Sequence, residues 1–285
     1  MGSFSILNNI SGLNAQNQLN INNVNLSRTL LRLSSGKRIN SGADDAAGLQ
    51  IADSLRANTF ALNQAVRNAN DGIGVAQIAD GALQEITNLL TRAVTLAAES
   101  ATETVDDTGR ASLDAEFAEI QAEIARIAEN TNFNGVSIFG ATGLNGGLTV
   151  FVGDISSSSE IEVSIGAITT AGETVTGFDG GDSIAAVDMS TQAGAASALT
   201  AIKGALSAVS NMRAGIGAGI NRLQSAVAVL QTQAQNTQAA ESSIRDANIA
   251  EEVANLTKYQ ILAQSGIAAL AQANSNSQNV LSLLR

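Results

Sequence analysis

Residues 33–48 read LSSGKRINSGADDAAG. Glycine then lysine in a small polar loop is how a phosphate-binding loop ends, and such a loop would make this a nucleotide enzyme. That chemistry needs G-x-x-x-x-G-K-[ST] after a strand, so that backbone N–H groups cradle the phosphates and the lysine reaches the outermost one. Here Leu31 stands where the first glycine is required, and Arg38 stands where Ser or Thr would meet the metal. The stripe Leu26, Leu30, Leu33 just before it is helical in spacing. The phosphate reading fails on residues and on context. The same residues read better as a joint. Gly36 ends one helix, Arg38 sits near that end, and Asp44 and Asp45 open the next helix as caps.

The other groups that could do chemistry are equally thin. Gly215, Gly217 and Gly219 lie inside a helical seam and not after a strand, so they are no dinucleotide loop. The stretch GDISSSSE (153–160) lacks the ligand spacing of a calcium loop. Ser156 to Ser159, with Thr169, Thr170, Thr174 and Thr176, read as polar turn residues, with exposed hydroxyls open to modification as the alternative. The chain has no His, Cys, Trp or Pro and a single Tyr. Without His it lacks the usual general base and the commonest metal ligand. Without Cys it has no thiolate nucleophile, zinc cluster or disulfide. No catalytic, cofactor-binding or metal-binding residue is assigned, and no cofactor is expected.

The elements that would carry such residues are long helices. The absence of Pro permits uninterrupted ones, and aromatics make up only 3 % of the 285 residues, so Ala, Leu, Ile and Val must supply the core. From Leu55, steps of four and three give Thr59, Leu62, Val66, Ala69, Ile73, Ala76, Asp80, Leu83, Thr87, Leu90, Val94 and Ala97, a heptad seam interrupted by three polar residues. Gly72 and Gly74 inside it suggest a bend or a close approach. A second seam runs through Leu113, Phe117, Ile120, Ile124 and Ile127, with Asp106 and Asp107 as capping candidates and Asn130 to Asn134 as its end. A third takes Leu199, Ile202, Leu206, Val209, Ile216, Ile220, Leu223, Val227 and Leu230, broken only by Arg213. Three such seams should bundle. Between the second and third, Leu148 to Ile168 alternates like a hairpin. Gly172 to Asp182, rich in Gly and Thr, reads as irregular surface. The fold class predicted is mainly α: a long-helix, coiled-coil bundle with one small β-hairpin.

Charge divides the chain. The net charge is −11, yet residues 1–43 hold four basic residues and no acid, and residues 253–285 hold Lys258 and Arg285 and no acid. All 26 acids lie in 44–252. A net-acidic body argues against nucleic acid as a partner. No apolar run is long enough to span a membrane, and MGSFSILNNISGLNAQ has no basic region ahead of a cleavage site, so no cleavable signal is expected. The two ends carry their own stripes. Ile6, Ile10, Leu13, Leu19, Leu26, Leu30 and Leu33 mark the first. Ile249, Val253, Leu256, Ala263, Ile267 and Leu270 mark the last, with Gln260 its only polar position. Isolated helices of this kind are marginal in water. They need each other, or other copies of the chain.

Five blocks in order resemble bacterial flagellin in its short form: LSSGKRINSGADDAAGLQIADSLRA (33–57), NDGIGVAQIADGALQEI (70–86), TNFNGVSIF (131–139), RAGIGAGINRLQSAV (213–227) and SSIRDANIAEEVANLTKYQIL (242–262). The final QANSNSQNVLSLLR is similar to that family's C-terminus. The resemblance implies a coiled-coil inner-core domain from residues 1–43 with 245–285, and an outer rod from 44–244, without the variable outer domains of longer flagellins. It implies self-assembly into the helical filament used for swimming, extracellular localisation, and export through the flagellar channel. The partners implied are further copies of the chain, an export chaperone, the filament cap and the hook–filament junction proteins. Assembly falls to Ile6, Ile10, Leu13, Leu26, Leu30, Leu33, Val253, Leu256, Ile267 and Leu270. The same resemblance puts Arg92, Leu96 and Glu116 at positions where flagellins meet an animal innate immune receptor, with Val94, Thr95 and Glu99 departing from the commonest pattern. Alternatives are the hook–filament junction protein of the same family and, in another class, a secreted helical-bundle effector.

Overall fold

The structure, a computed structural model, describes residues 9–140, 144, 147–154, 159–171, 174–178, 183–185 and 187–282. Five helices occupy most of it: α1 (Ile10–Ser35), α2 (Ala46–Ser100), α3 (Asp107–Asn130), α4 (Gln192–Arg245) and α5 (Ile249–Ser282). Six short strands lie between α3 and α4: β1 (Asn132–Phe133), β2 (Val136–Ser137), β3 (Leu148–Phe151), β4 (Glu160–Val163), β5 (Ile168–Ala171) and β6 (Thr174–Phe178). The chain divides into two compact units. One gathers the described residues of Met1–Ala57 and Asn236–Arg285, the other those of Asn58–Gln235, and both divisions fall inside helices.

The second unit holds the apolar core. On α2 the alternate-step reading finds Leu62, Ala69, Ala76, Leu83, Leu90 and Ala97, and all are buried. Between them it chooses Val66, Ile73, Asp80, Thr87 and Val94, which are only half-buried. The buried positions are one residue earlier: Ala65, Gly72, Ala79, Ile86 and Ala93. On α4 the shift repeats. Ile202, Val209, Ile216, Leu223 and Leu230 are buried as read, but Ala198, Ala205, Met212 and Gly219 replace Leu199, Leu206, Arg213 and Ile220. Small residues let helix axes come close, so Ala and Gly take the centre of the seam and the branched residues flank it. The shift also accounts for the two charged seam breakers. Asp80 and Arg213 flank the seams and meet across them, Nε to Oδ1, at 2.8 Å.

Glycines seat the first hairpin. β3 and β4 pair antiparallel with Leu148 opposite Val163. A Cβ on Gly72 would lie 2.6 Å from Val150, and one on Gly219 would lie 2.5 Å from Val163. One glycine of each helix, Gly72 of α2 and Gly219 of α4, is therefore a contact point for a β-hairpin. Gly74 and Gly217, by contrast, have open space around them.

Two further antiparallel pairs accompany the expected hairpin. β1 and β2 are joined by Asn134 and Gly135, both with positive φ, the two-residue turn that Asn-Gly favours. β5 pairs with β6 through a register shift between Thr169 and Thr170. This corrects the reading of 172–182 as irregular: Thr174–Phe178 is a strand, with Val175 and Phe178 buried against the core. The shift in register breaks strict alternation, which is why the sequence pattern does not show it. Three buried polar side chains find partners in the carbonyls of neighbouring segments. The Arg110 guanidinium donates to the carbonyls of Ser100 and Thr102, the Ser100 hydroxyl to the Met189 carbonyl at 2.6 Å, and the Gln121 amide to the Ile184 carbonyl at 2.7 Å. Asp106 caps α3, accepting from the Gly109 N–H at 2.8 Å, and the helix ends at Asn130.

Candidate assembly interface

The first unit brings the two ends of the chain together. α1 and α5 run antiparallel: Asn9 donates to the Ala273 carbonyl at 3.2 Å at one end, and Arg32 lies 3.4 Å from Glu252 at the other. The face of α1 turned inward is Gly12, Ala15, Leu19, Asn22, Leu26, Thr29 and Leu33. On α5 it is Glu252, Leu256, Tyr259, Ala263, Gly266, Leu270 and Ala273. Both follow a heptad rule of threes and fours. The seam is narrow, since Gly12 and Gly266 carry no side chain, and it is partly polar: Asn22, Thr29 and Glu252 are buried in it.

The loop that resembled a phosphate cradle closes this unit. Gly36 takes φ 69° as the left-handed cap of α1. The next residues pair with the α4–α5 connection as a minimal antiparallel ladder. The Arg38 N–H donates to the Arg245 carbonyl at 2.7 Å, the Ala247 N–H to the Gly36 carbonyl at 3.0 Å, and Lys37 bridges to Asp246. The Arg38 guanidinium donates to the Ile244 carbonyl at 2.8 Å, satisfying an acceptor at the end of α4 where a cation is favoured. Arg245 meets Asp53 of α2 at 3.0 Å. Asp45 caps α2 through the Gly48 N–H at 2.9 Å. Asp44 turns back to accept from the Asn40 and Ser41 N–H groups and the Ser41 hydroxyl. Its slight burial acts to raise the carboxyl pKa. Those hydrogen bonds and the charge of Arg32 more than offset this, holding it below the usual aspartate range. Lys37 thus clasps the chain crossing through its backbone, and Arg38 through its backbone and its guanidinium.

The assembly residues read from the sequence fall into two sets. Leu26, Leu33, Leu256 and Leu270 are half-buried in the α1–α5 seam. Ile10, Leu13, Leu30, Val253 and Ile267 point outward, with Ile10 62 % and Ile267 58 % exposed. Ile6 lies outside the described residues. Ile21, Val24, Leu31, Ile249 and Ile261 are also exposed, and the alternate-step reading named only Ile249 among them. Large apolar side chains of these two helices thus lie on both sides: leucines and Tyr259 share the seam with small and polar residues, and a second apolar set faces outward.

In the second unit, Arg92 and Glu116 are exposed and join α2 to α3, with Nε and Nη2 of Arg92 at 2.9 and 2.7 Å from one carboxylate oxygen. Leu96 is different. It is 0 % exposed, packed in the core with Ala93 and Ala97, so its side chain offers no surface to a receptor docking on the folded unit. Thr169 and Thr170 spend their hydroxyls inside the fold, on the Gly177 carbonyl and the Glu129 carboxylate. Ser156 to Ser158 lie outside the described residues. Among the described residues, no group of His, Cys, Asp or Glu could hold a metal ion. No helix among them is long and apolar enough to cross a membrane.

Two family models match in order: the bacterial flagellin N-terminal helical region over residues 6–143 and the C-terminal helical region over 199–284. The chain is 36 % identical over 283 residues to a flagellar filament 30.7 kDa core protein of Treponema maltophilum, covering 98 % of this chain and 99 % of that one. It is 39 % identical over 282 residues to a flagellin of Halalkalibacterium halodurans, with the same coverage. The chain belongs to the bacterial flagellins. It is a structural subunit of the flagellar filament. A solved structure assigned to a flagellar hook-associated protein of Vibrio parahaemolyticus shares the fold at TM-score 0.56 and 14 % identity, over 71 % of this flagellin and all of that chain.

Proposed function

We propose that this flagellin builds its filament through the outward faces of α1 and α5, and that it does so without catalysis. The observation that carries the reading is a second apolar set on the outward side of the α1–α5 pair, beside the leucines of its seam. A helix pair meant to stand alone would keep its apolar side chains to its own seam. Here Ile10, Leu13, Val24, Leu31, Val253, Ile261 and Ile267 face outward, where further copies of the chain can bury them. Such contacts, made head to tail on different faces, generate an open helical polymer where the rotation between copies does not close a ring. Residues 1–43 with 245–285 then form the inner core, and 44–244 the outer rod.

Export follows the same logic. A chain without cysteines or disulfides can pass unfolded through the flagellar channel to the extracellular side, with a chaperone covering the apolar stripes until the cap places it. Limited burial within the α1–α5 seam suits ends that become ordered on assembly. The second unit offers the exposed Arg92–Glu116 pair to an animal innate immune receptor, and Leu96 supports that surface from beneath without touching the partner.

Electron microscopy of the purified chain under polymerising conditions tests the reading. Long helical filaments from this chain alone are expected. A hook–filament junction protein would give no extended polymer, and neither would a secreted effector, so a chain that stays unpolymerised contradicts the proposal.

A further inference from the structure

The apolar part of the α1–α5 seam repeats every seven residues, with Leu19, Leu26 and Leu33 on one helix and Leu256, Ala263 and Leu270 on the other. Sliding one helix by seven residues, about 10 Å, returns aliphatic residues to aliphatic positions. Apolar packing alone does not tell these settings apart. The residues that break the repeat are polar or small. Asn22, Thr29 and Glu252 are buried in the seam, and Arg32 sits 3.4 Å from Glu252.

We propose that Arg32 and Glu252, with Asn22 and Thr29, form a register lock that holds the pairing of α1 with α5 at one setting. The inference rests on the reading of these helices as assembly elements. A filament crowds many identical copies together, so shifted pairings compete with the correct one. At the observed setting the Glu252 carboxylate, 7 % exposed, has a cation beside it. Slid one heptad along α1, it meets position 25 in place of Arg32, and a buried carboxylate without its cation is strongly disfavoured. Slid the other way, it passes the end of α1 at Ser35.

Two further contacts agree on the same setting. Asn9 pins the far end on the Ala273 carbonyl and the Asn274 side chain. Midway, Leu19 packs over Gly266, where a Cβ would lie 3.8 Å from that of Leu19. The first slip would bring Tyr259 into the glycine's place, where even a Cβ would stand only 3.3 Å from Leu19 Cδ1.

The chain has no cysteine, so introduced pairs report the setting cleanly. Leu19→Cys with Gly266→Cys reads the observed register, because the 3.8 Å separation suits a disulfide. Leu19→Cys with Tyr259→Cys reads the slipped one. Each full-length variant is oxidised under polymerising conditions and run on a denaturing gel without reductant. In the otherwise unchanged chain the first pair should close roughly tenfold more often than the second, as expected for a charge-assisted contact. Adding Asn22→Leu, Thr29→Leu and Glu252→Leu should bring the two yields close together. Arg32→Glu should lower the yield of the first pair, and adding Glu252→Arg should restore it. An unchanged preference in the triple leucine chain, or no recovery in the double reversal, overturns the proposal. Yields are scored separately in sedimented and soluble fractions. Failure of the unchanged chain to sediment would count against the assembly reading and leave the register measurement standing.

Discussion

Replacing Gly219 by alanine pits two effects of opposite sign against each other. An alanine in a helix interior is worth about 1 kcal/mol over glycine. The new Cβ, however, would stand 2.5 Å from Val163 Cγ1 and 2.9 Å from Cγ2. Valine is stiff about χ1, and β4 is held to β3 by its ladder, so the clash is not relieved by turning one side chain. Overpacking of this kind costs about 1–3 kcal/mol, and the sum is a loss of up to about 2 kcal/mol. Gly74 is the internal control, because a Cβ there meets nothing within 4 Å and only the helical gain of about 1 kcal/mol remains. For a unit of this size each kcal/mol shifts the melting temperature by about 2–4 °C. Thermal unfolding followed by circular dichroism should show Gly74→Ala melting higher than the parent and Gly219→Ala melting lower. Val163→Ala should recover part of the loss in Gly219→Ala. Equal upward shifts for Gly74→Ala and Gly219→Ala would refute the claim that the α4 glycines seat the hairpin.

Other perturbations separate the two units. Ile267→Asp should abolish sedimentable polymer while the helical signal of the second unit persists, since a carboxylate buried between copies costs several kcal/mol; normal filaments from this variant would contradict the reading. Limited proteolysis of unassembled chain should cut within residues 9–35 and 249–276 before the second unit, and equal resistance of all segments would contradict ordering on assembly. Arg92→Ala should weaken receptor binding by the monomer yet change melting little, because an exposed ion pair contributes under about 1 kcal/mol; unchanged binding would remove Arg92 from the contact. The Asp44 carboxyl is held below its ordinary value, so its contribution is complete above about pH 4 and is lost as the pH falls through the lowered value. Asp44→Asn should therefore lose less stability than the parent on acidification below about pH 4, and parallel acid profiles would show that the carboxylate does not contribute.

Heptad repeats made the helices legible, but not their phase. In α2 and α4 every seventh residue was placed correctly, while the choice between Ala79 and Asp80, or Met212 and Arg213, depended on how closely the helices approach. That is a property of the pair and not of either strip of sequence. The same one-residue ambiguity put Ile267 in the seam of α5, where Gly266 belongs, and hid Glu252 behind Val253. Nothing local announces that Arg32 and Glu252, 220 residues apart, share a seam. The loop at Gly36 was legible as a joint because its failures as a phosphate site were absolute. Its partner, the Arg245–Ala247 connection, was not, because a two-residue ladder leaves no periodicity. β6 was missed because a register shift in its pairing disrupts the alternation. Asn134-Gly135, in contrast, was a turn signal available in the sequence.

The central claim is that the outward faces of α1 and α5 drive polymerisation, and the critical concentration for assembly measures it directly. Ile267 is 58 % exposed before assembly. Burying that remainder against a second copy contributes about 1 kcal/mol, so Ile267→Ala should raise the critical concentration roughly fivefold. Ile10→Ala should act similarly, and Gln264→Ala, an exposed polar position on the same helix, should leave it unchanged. Sedimentation of polymer from a concentration series gives the value for each chain. The account predicts clear increases for the two isoleucine variants alone, and critical concentrations equal to that of the parent would contradict it.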